Sequence, residues 1–308
     1  MESKSRVLIV GVTGRLGRHL AEASLSSGHP TYALVRATTL TSSPEKSQLL
    51  QSLVSSGLQL VQGSLEDYPV VVETIKQVDV VISALGSFQI MDQKNIIRAI
   101  KEAGCVKRFI PSEFGSDPEK IRLPDPSYTF HAKKSEIRRI IREEGIPFTF
   151  ISCNYFATFL LPSLVQPGLK CPPRDKVFIY GDGNTKAIFV KEEDVAAFTI
   201  KAMDDTRTLN KTVYLRPPGN IQSFNEIVQL WEVKIGKTLE KIYVPEEQVL
   251  KIIEENSYPS NFEMVFIYSA FIKGDHIYFS IKDSGVEATE LYPDHKYTTI
   301  SEYLDTLL

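Results

Sequence analysis

The stretch VLIVGVTGRLGRHLAEA, residues 7–23, decides how this sequence folds. The apolar run 7–10 is followed at once by a glycine-rich turn and then by apolar residues at helical spacing. A strand, a glycine turn and a helix in this order suit a pyrophosphate, because the turn admits the phosphates to the backbone and the helix amino terminus supplies N–H groups. We therefore expect a dinucleotide to bind along Gly11, Val12, Thr13, Gly14, Arg15, Leu16 and Gly17.

Strand-like apolar runs recur through the first half of the chain, with helix-length stretches between them. After 7–10 they lie at 31–35, 58–61, 78–84, 108–111 and 147–152. This alternation predicts βαβ crossovers, and the nearly continuous apolar runs favour a parallel sheet covered on both faces. The predicted fold class is α/β, a doubly wound parallel sheet of the NAD(P)-binding Rossmann type.

The pattern becomes irregular after Ser152. Prolines are frequent between 162 and 173, and a strand-like run at 176–180 and helical segments at 223–235 and 246–255 follow. We predict an NADP-binding domain over residues 1–152 and a smaller substrate-binding lobe over residues 153–308, interleaved with the end of the sheet.

Composition excludes several function classes. The 308 residues are 43% hydrophobic and 24% charged, as in an ordinary globular protein. Lys and Arg number 35 against 38 Asp and Glu, so no basic surplus predicts binding to nucleic acid or to an anionic membrane. The amino terminus has no apolar signal segment and no long apolar run follows, so we expect a cytoplasmic location.

The cysteines do not indicate a metal site. Cys105, Cys153 and Cys171 are far apart and none belongs to a CxxC motif. We therefore predict no zinc site and no other metal, and we expect these cysteines to be buried, reduced thiols.

Arg36 stands at the end of the second predicted strand, about where an NAD-binding protein offers a carboxylate to the ribose hydroxyls. A guanidinium suits a 2′-phosphate, which a carboxylate would repel, so the predicted cofactor is NADPH. Lys46 is a second candidate for that phosphate, and a solvated lysine at a helix start is an equally good interpretation.

The GxxGxxG spacing of the glycine turn resembles that of the short-chain reductases, whose usual Tyr-x-x-x-Lys pair is missing here from the helix that normally carries it. The spacing occurs only at Tyr278 and Lys282, in a strand-like run that we assign to structure. On the expected helix, Lys134 and Arg138 share one face with Ile137 and Ile141. We expect that face to look toward the carboxyl edge of the sheet, where burial and the neighbouring cation would make a lysine usable as a general base.

Together these residues resemble the plant isoflavone reductase-like family of NmrA-like atypical short-chain reductases, and the chain looks most like the phenylcoumaran benzylic ether reductases. The resemblance spans essentially the whole chain. It is carried by the glycine turn, by VDVVIS at 78–83, PSEFG at 111–115, PPRDKV at 172–177 and GDGN at 181–184.

The resemblance implies roles for single residues. Lys134 takes the acid/base role, Arg138 contacts the cofactor, and the glycine turn with Arg36 and Lys46 holds the adenosine half of NADPH. Two departures stand out: Arg15 replaces an aromatic residue that the family often has, and Tyr268 replaces a histidine of the substrate pocket.

The remaining pocket candidates come from the stretch after Cys153. Tyr155, Phe156 and Phe159 are candidates for the wall of a substrate pocket, and ordinary core packing is an equally good interpretation of each.

The leading functional hypothesis is reduction of a small phenolic phenylpropanoid: NADPH-dependent opening of the benzylic ether of a phenylcoumaran lignan through a quinone methide, with Lys134 as the base. Eugenol or isoeugenol synthesis from a coniferyl ester and isoflavone reduction are alternatives within the enzyme class. An NADP-binding redox sensor is the alternative outside it. The sequence leaves the substrate, its stereochemistry and assembly as a homodimer open.

Overall fold

The computed structural model describes residues 4–122, 129–256 and 260–308. Its strands are β1 (Val7–Val10), β2 (Thr31–Val35), β3 (Gln59–Gln62), β4 (Val80–Ser83), β5 (Arg108–Ile110), β6 (Thr149–Ser152), β7 (Tyr155–Phe156), β8 (Lys176–Tyr180), β9 (Lys186–Val190), β10 (Lys211–Tyr214), β11 (Ile221–Ser223), β12 (Glu240–Val244) and β13 (Val286–Glu287).

The α-helices alternate with these strands. They are α1 (Arg15–Ser26), α2 (Ala37–Ser42), α3 (Pro44–Ser55), α4 (Tyr68–Ile75), α5 (Gln93–Ala103), α6 (Thr129–Glu143), α7 (Ala157–Leu160), α8 (Glu192–Asp204), α9 (Phe224–Ile235), α10 (Glu246–Glu255), α11 (Phe262–Ile267), α12 (Ala288–Leu291) and α13 (Ile300–Asp305). A π-helical turn, Tyr268–Ile272, continues α11.

The central sheet is parallel and has the strand order β3-β2-β1-β4-β5. Val7 of β1 lies opposite Thr31 of β2 on one side and opposite Val80 of β4 on the other. Every residue of β1, β4 and β5 is buried, as expected for strands covered on both faces. The predicted doubly wound sheet is confirmed, and its order reverses beside β1.

The chain divides into two compact units. Unit 1 comprises residues 1–113, 132–151 and 192–213, and unit 2 comprises residues 114–131, 152–191 and 214–308. The chain changes unit between residues 151 and 152, next to the predicted boundary. That boundary is too simple, however, because residues 114–131 belong to unit 2 and residues 192–213 belong to unit 1. In unit 1, α8 packs against α1, which the one-boundary prediction did not anticipate.

Unit 2 has its own hydrophobic core. Trp231 and Phe224 of α9 are fully buried there with Phe189 of β9 and Phe271 of the π-helical turn. Two sheets contribute residues to this core. In one, β12 pairs in parallel with β8, and the other has the strand order β11-β9-β7.

Two smaller expectations were wrong. The segment around Tyr278 and Lys282 forms turns rather than a strand. Only Cys153 is a buried thiol, because Cys105 and Cys171 lie in exposed loops. Within the described ranges, the helices are all too short or too polar to cross a membrane.

Candidate active site

The glycine turn between β1 and α1 is closely packed against its neighbours. Gly11 has a φ of +92°, and a Cβ there would lie 2.5 Å from the carbonyl oxygen of Ala84. The amide of Gly14 donates to the Gly11 carbonyl at 2.9 Å. A Cβ on Gly17 would lie 2.1 Å from that same carbonyl oxygen. Glycine is therefore required at positions 11 and 17, where a side chain would collide with backbone atoms. The N–H groups of the turn other than that of Gly14 are candidates for binding phosphates.

A cavity of about 310 Å³ opens at the carboxyl ends of β1, β2 and β4, within unit 1. It is lined by residues 10–14, 34–36, 63–66 and 84–86 together with Thr39, Lys46, Gln89, Asp92 and Asn95. The predicted cofactor residues Gly11, Val12, Thr13, Gly14, Arg36 and Lys46 thus lie together. Leu16 and Gly17 are buried in α1, and Arg15 is exposed at its first position; none of these three lines the cavity.

The residues that line the cavity have the chemistry that binding of NADPH requires. Arg36 directly follows β2 and is exposed, and Lys46 lies exposed in the first turn of α3. Both cations line the same cavity as the glycine turn, so a pyrophosphate and a 2′-phosphate have separate donors there.

Lys134 lies on α6 and is almost completely buried, with 5% of its surface exposed. Its Nζ donates to the backbone carbonyl of Glu113, 2.5 Å away. Glu113 follows β5, at the carboxyl edge of the parallel sheet. Lys133, its sequence neighbour, is exposed. Ile137 and Ile141, which share the helix face of Lys134, are buried as well.

Arg138 lies one turn after Lys134 and is fully buried. Its Nε and Nη2 atoms donate to the two carboxylate oxygens of Glu113 at 2.6 and 2.5 Å. Its guanidinium carbon also lies 4.6 Å from the ring centroid of Phe150. Arg138, the predicted cofactor contact, is not among the residues that line the cavity. Its guanidinium instead forms a salt bridge with Glu113.

The predicted pocket residues lie in unit 2 and differ in exposure. Tyr155 is buried, and its hydroxyl donates to the backbone carbonyl of Phe266. Burial raises the pKa of Tyr155 well above its usual value. Phe156 is half-buried. Phe159 is also half-buried and meets the rings of Phe262 and Phe266 edge-on.

Tyr268, at the start of the π-helical turn, is also mostly buried. Its hydroxyl donates to Glu246 Oε1 at 2.9 Å. Burial and then this hydrogen bond raise the pKa of Tyr268 to about 12. Neither Tyr155 nor Tyr268 therefore ionises near neutral pH.

Sequence reasoning missed two features. The first is Glu113, in the PSEFG stretch just after a predicted strand. Binding and catalytic residues of parallel sheets lie at the carboxyl ends of the strands, so this position could have indicated a site residue. Phe262 and Phe266 were not considered. Their four-residue spacing places them on one helix face, 4.3 Å apart between ring centroids.

Comparison with known proteins gives consistent matches. The model of the NmrA-like family matches residues 3–304. The chain is 60% identical over 302 residues to a phenylcoumaran benzylic ether reductase of Ginkgo biloba, covering 98% of each chain. It is 57% identical over 307 residues to eugenol synthase 2 of Clarkia breweri, covering 99% of each.

One solved structure bears on the cofactor. The structure of AtPrR2 with NADP⁺ and (+)-pinoresinol matches this chain with a TM-score of 0.95 and 43% sequence identity. The match covers 100% of each chain.

Proposed function

The chain belongs to the NmrA-like family, and within that family we propose that it opens the benzylic ether of a phenylcoumaran lignan. It is an NADPH-dependent reductase of phenylpropanoid substrates. The finer assignment is supported by its similarity to the Ginkgo biloba reductase.

One observation carries the proposed chemistry. A buried lysine, Lys134, is held through its Nζ at the carboxyl edge of the sheet, in the unit that also contains the dinucleotide cavity. Burying a lysine costs free energy. The burial of Lys134 therefore favours a chemical role over that of an ordinary solvated surface lysine.

In the proposed reaction, the neutral amine of Lys134 takes the proton of the substrate's para-phenol. The phenolate electrons move through the ring, the benzylic C–O bond breaks, and a quinone methide forms on the substrate. Lys134 returns its proton to the departing ether oxygen. NADPH, when bound, supplies the hydride that the benzylic carbon accepts, and the restored phenolate takes a proton from solvent. Exclusion of water protects the electrophile in the meantime.

The second candidate function is synthesis of an allylphenol or propenylphenol from a coniferyl ester. Loss of acetate from that ester gives a quinone methide by the same electron flow. The similarity to the Clarkia breweri eugenol synthase favours this alternative. The family often has a histidine where this chain has Tyr268. The Tyr268 hydroxyl donates to Glu246, so a substrate would meet a different hydrogen-bonding group there.

The test uses stereospecifically C4-deuterated NADPH with a phenylcoumaran dimer and, in a parallel tube, with coniferyl acetate. We expect mass spectrometry to find deuterium at the benzylic carbon of a ring-opened dimer. Label in an allylphenol or propenylphenol would establish the second candidate instead. Label in neither would overturn both and favour isoflavone reduction or a sensor role.

The role of Lys134 is tested by Lys134→Ala, with Lys133→Ala as the matched control at an exposed neighbour. We expect Lys134→Ala to lose turnover and retain NADPH binding, and Lys133→Ala to keep both. Full turnover in Lys134→Ala would overturn the base assignment.

A cytoplasmic location, a place in lignan biosynthesis and assembly as a homodimer belong to this proposal as well. Cell fractionation and light scattering check the first and the last.

A further inference from the structure

A buried polar network lies at the carboxyl ends of β4 and β5, in unit 1. The hydroxyl of Ser112 donates to Ser83 Oγ at 2.7 Å and accepts the amide of Leu85 at 2.8 Å. The amide of Ser112 donates to Gln93 Oε1 at 2.7 Å. Ser83, Gln93 and Ser112 are each at most 3% exposed. Polar groups so deeply buried are costly unless every one is hydrogen-bonded, so this network fixes its members in place.

The two ends of the network differ in what they touch. Leu85 belongs to the loop 84–86 that lines the dinucleotide cavity. Ser112 is bonded covalently to Glu113, whose carbonyl accepts a hydrogen bond from Lys134 Nζ and whose carboxylate accepts one from Arg138. The dipeptide Ser112-Glu113 is therefore hydrogen-bonded to Leu85 of the cavity lining on one side and to Lys134 and Arg138 of α6 on the other.

We propose that Ser112 and Glu113 are positioning residues that set Lys134 relative to the bound cofactor. This inference rests on the proposed function, in which Lys134 acts as the base. The physical reason is that reacting groups misplaced by about 1 Å lose roughly two orders of magnitude in rate. A hydroxyl and a carboxylate outside the cofactor cavity thus control the rate without touching the substrate.

The experiment compares Ser112→Ala and Glu113→Gln with the native enzyme. For each we measure kcat per bound NADPH, the KM for both substrates and the stoichiometry of NADPH binding. We expect kcat per site to fall about 10- to 100-fold while the dissociation constant of NADPH changes less than about threefold. A purely structural role would reduce the number of NADPH sites and leave kcat per site unchanged, which would overturn the proposal.

Asp79→Asn is the matched control for loss of a carboxylate. Asp79 pairs with Arg6 and Lys107 at the amino edge of the same sheet, away from the cavity. We expect it to keep the native kcat per site. A loss equal to that of Glu113→Gln would mean that any carboxylate of the unit has this effect, and would contradict the positioning role.

Glu113→Gln leaves Arg138 buried beside a neutral amide, which can prevent folding. The double variant Glu113→Leu with Arg138→Met removes both charges, and we expect it to fold, bind NADPH and keep a low kcat. A native kcat in this variant, when Lys134→Ala is inactive, would overturn the positioning role alone. An active Lys134→Ala would overturn the proposed base itself, so the two failures are distinguishable.

Discussion

Single residues are the candidates for selecting the cofactor and for part of the stability. Arg36 places a cation at the end of β2, in the cavity that holds the glycine turn. His276 is fully buried, and the amide of Ile188 donates to its Nδ1 at 3.1 Å. The ring proton therefore sits on Nε2, which donates to Ser116 Oγ at 3.0 Å.

The first prediction concerns Arg36→Asp. We expect NADPH affinity to fall about 10- to 100-fold, since a charge-assisted hydrogen bond contributes about 1.5–3 kcal/mol, and NADH affinity to change much less. Fluorescence titration with both cofactors measures this. Arg18→Asp, which makes the same charge change on α1 outside the cavity lining, is the control. Equal losses for NADPH and NADH would contradict the 2′-phosphate contact.

The second prediction concerns His276. Burial, with a smaller contribution from Arg216, lowers its pKa to about 3. Below the unfolded pKa of about 6.5, the unfolded chain binds a proton that the folded chain does not. The stabilisation is complete above that pH and is lost as the pH falls toward 3, at up to about 1.4 kcal/mol per pH unit.

The measurement for His276 is the free energy of unfolding in urea between pH 4 and 7. His276→Gln keeps one acceptor and one donor but cannot titrate, so we expect its stability to depend less on pH over this range. A variant with the native pH dependence would show that His276 does not contribute it.

At the scale of elements, the path from β1 into α1 depends on close backbone contact. Gly17 belongs to α1, yet it lies against the Gly11 carbonyl of the preceding turn. Helix α6 works differently: its buried face places Lys134 and Arg138 against a single residue, Glu113. The two helices therefore build the two halves of the candidate site by different means.

The third prediction is that Gly17→Ala disrupts the turn. The added Cβ meets backbone atoms, which cannot move without displacing Gly11, so we expect about 1–3 kcal/mol of destabilisation and weaker NADPH binding. Gly86→Ala is the control, since its Cβ meets nothing within 4 Å, and we expect its stability to stay native. Thermal unfolding of both variants and NADPH titration of Gly17→Ala check this, and equal destabilisation of the two would contradict it.

At the scale of the whole molecule, the candidate site residues are divided between the two units. The cavity, Glu113 and Lys134 belong to unit 1, and the candidate pocket residues Tyr155 and Tyr268 belong to unit 2. The two edges of the sheet of unit 1 also differ: the cavity lies at the carboxyl edge, and an ion pair lies at the amino edge. At its amino edge, Arg6 lowers the pKa of Asp79, so this pair stabilises the fold at neutral pH and weakens in acid.

The fourth prediction is that NADPH stabilises unit 1. At 100 times its dissociation constant, one bound cofactor adds about 2.7 kcal/mol to the free energy of unfolding. Hydrogen exchange of amides in β1 and β2 measures this, because the single tryptophan, Trp231, reports on unit 2. We expect slower exchange with NADPH in the native enzyme and, at the same NADPH concentration, a smaller slowing in Arg36→Asp. Unchanged exchange in the native enzyme would contradict the assigned cavity.

The amino-acid sequence by itself determined the parallel sheet, the glycine turn, the cation after β2 and the helix face that carries Lys134. These features depend on residues close together in the chain, whose spacing reports the period of a strand or helix and the conformation of a turn.

Only the tertiary structure decided which distant groups meet. Glu113 and Arg138 are 25 residues apart, and Tyr155 and Phe266 are 111 apart. The exchange of segments between the units likewise has no local signature. Contacts of this kind follow from how the elements pack, and a buried polar group takes whichever partner that packing brings within reach, so local spacing could not predict them.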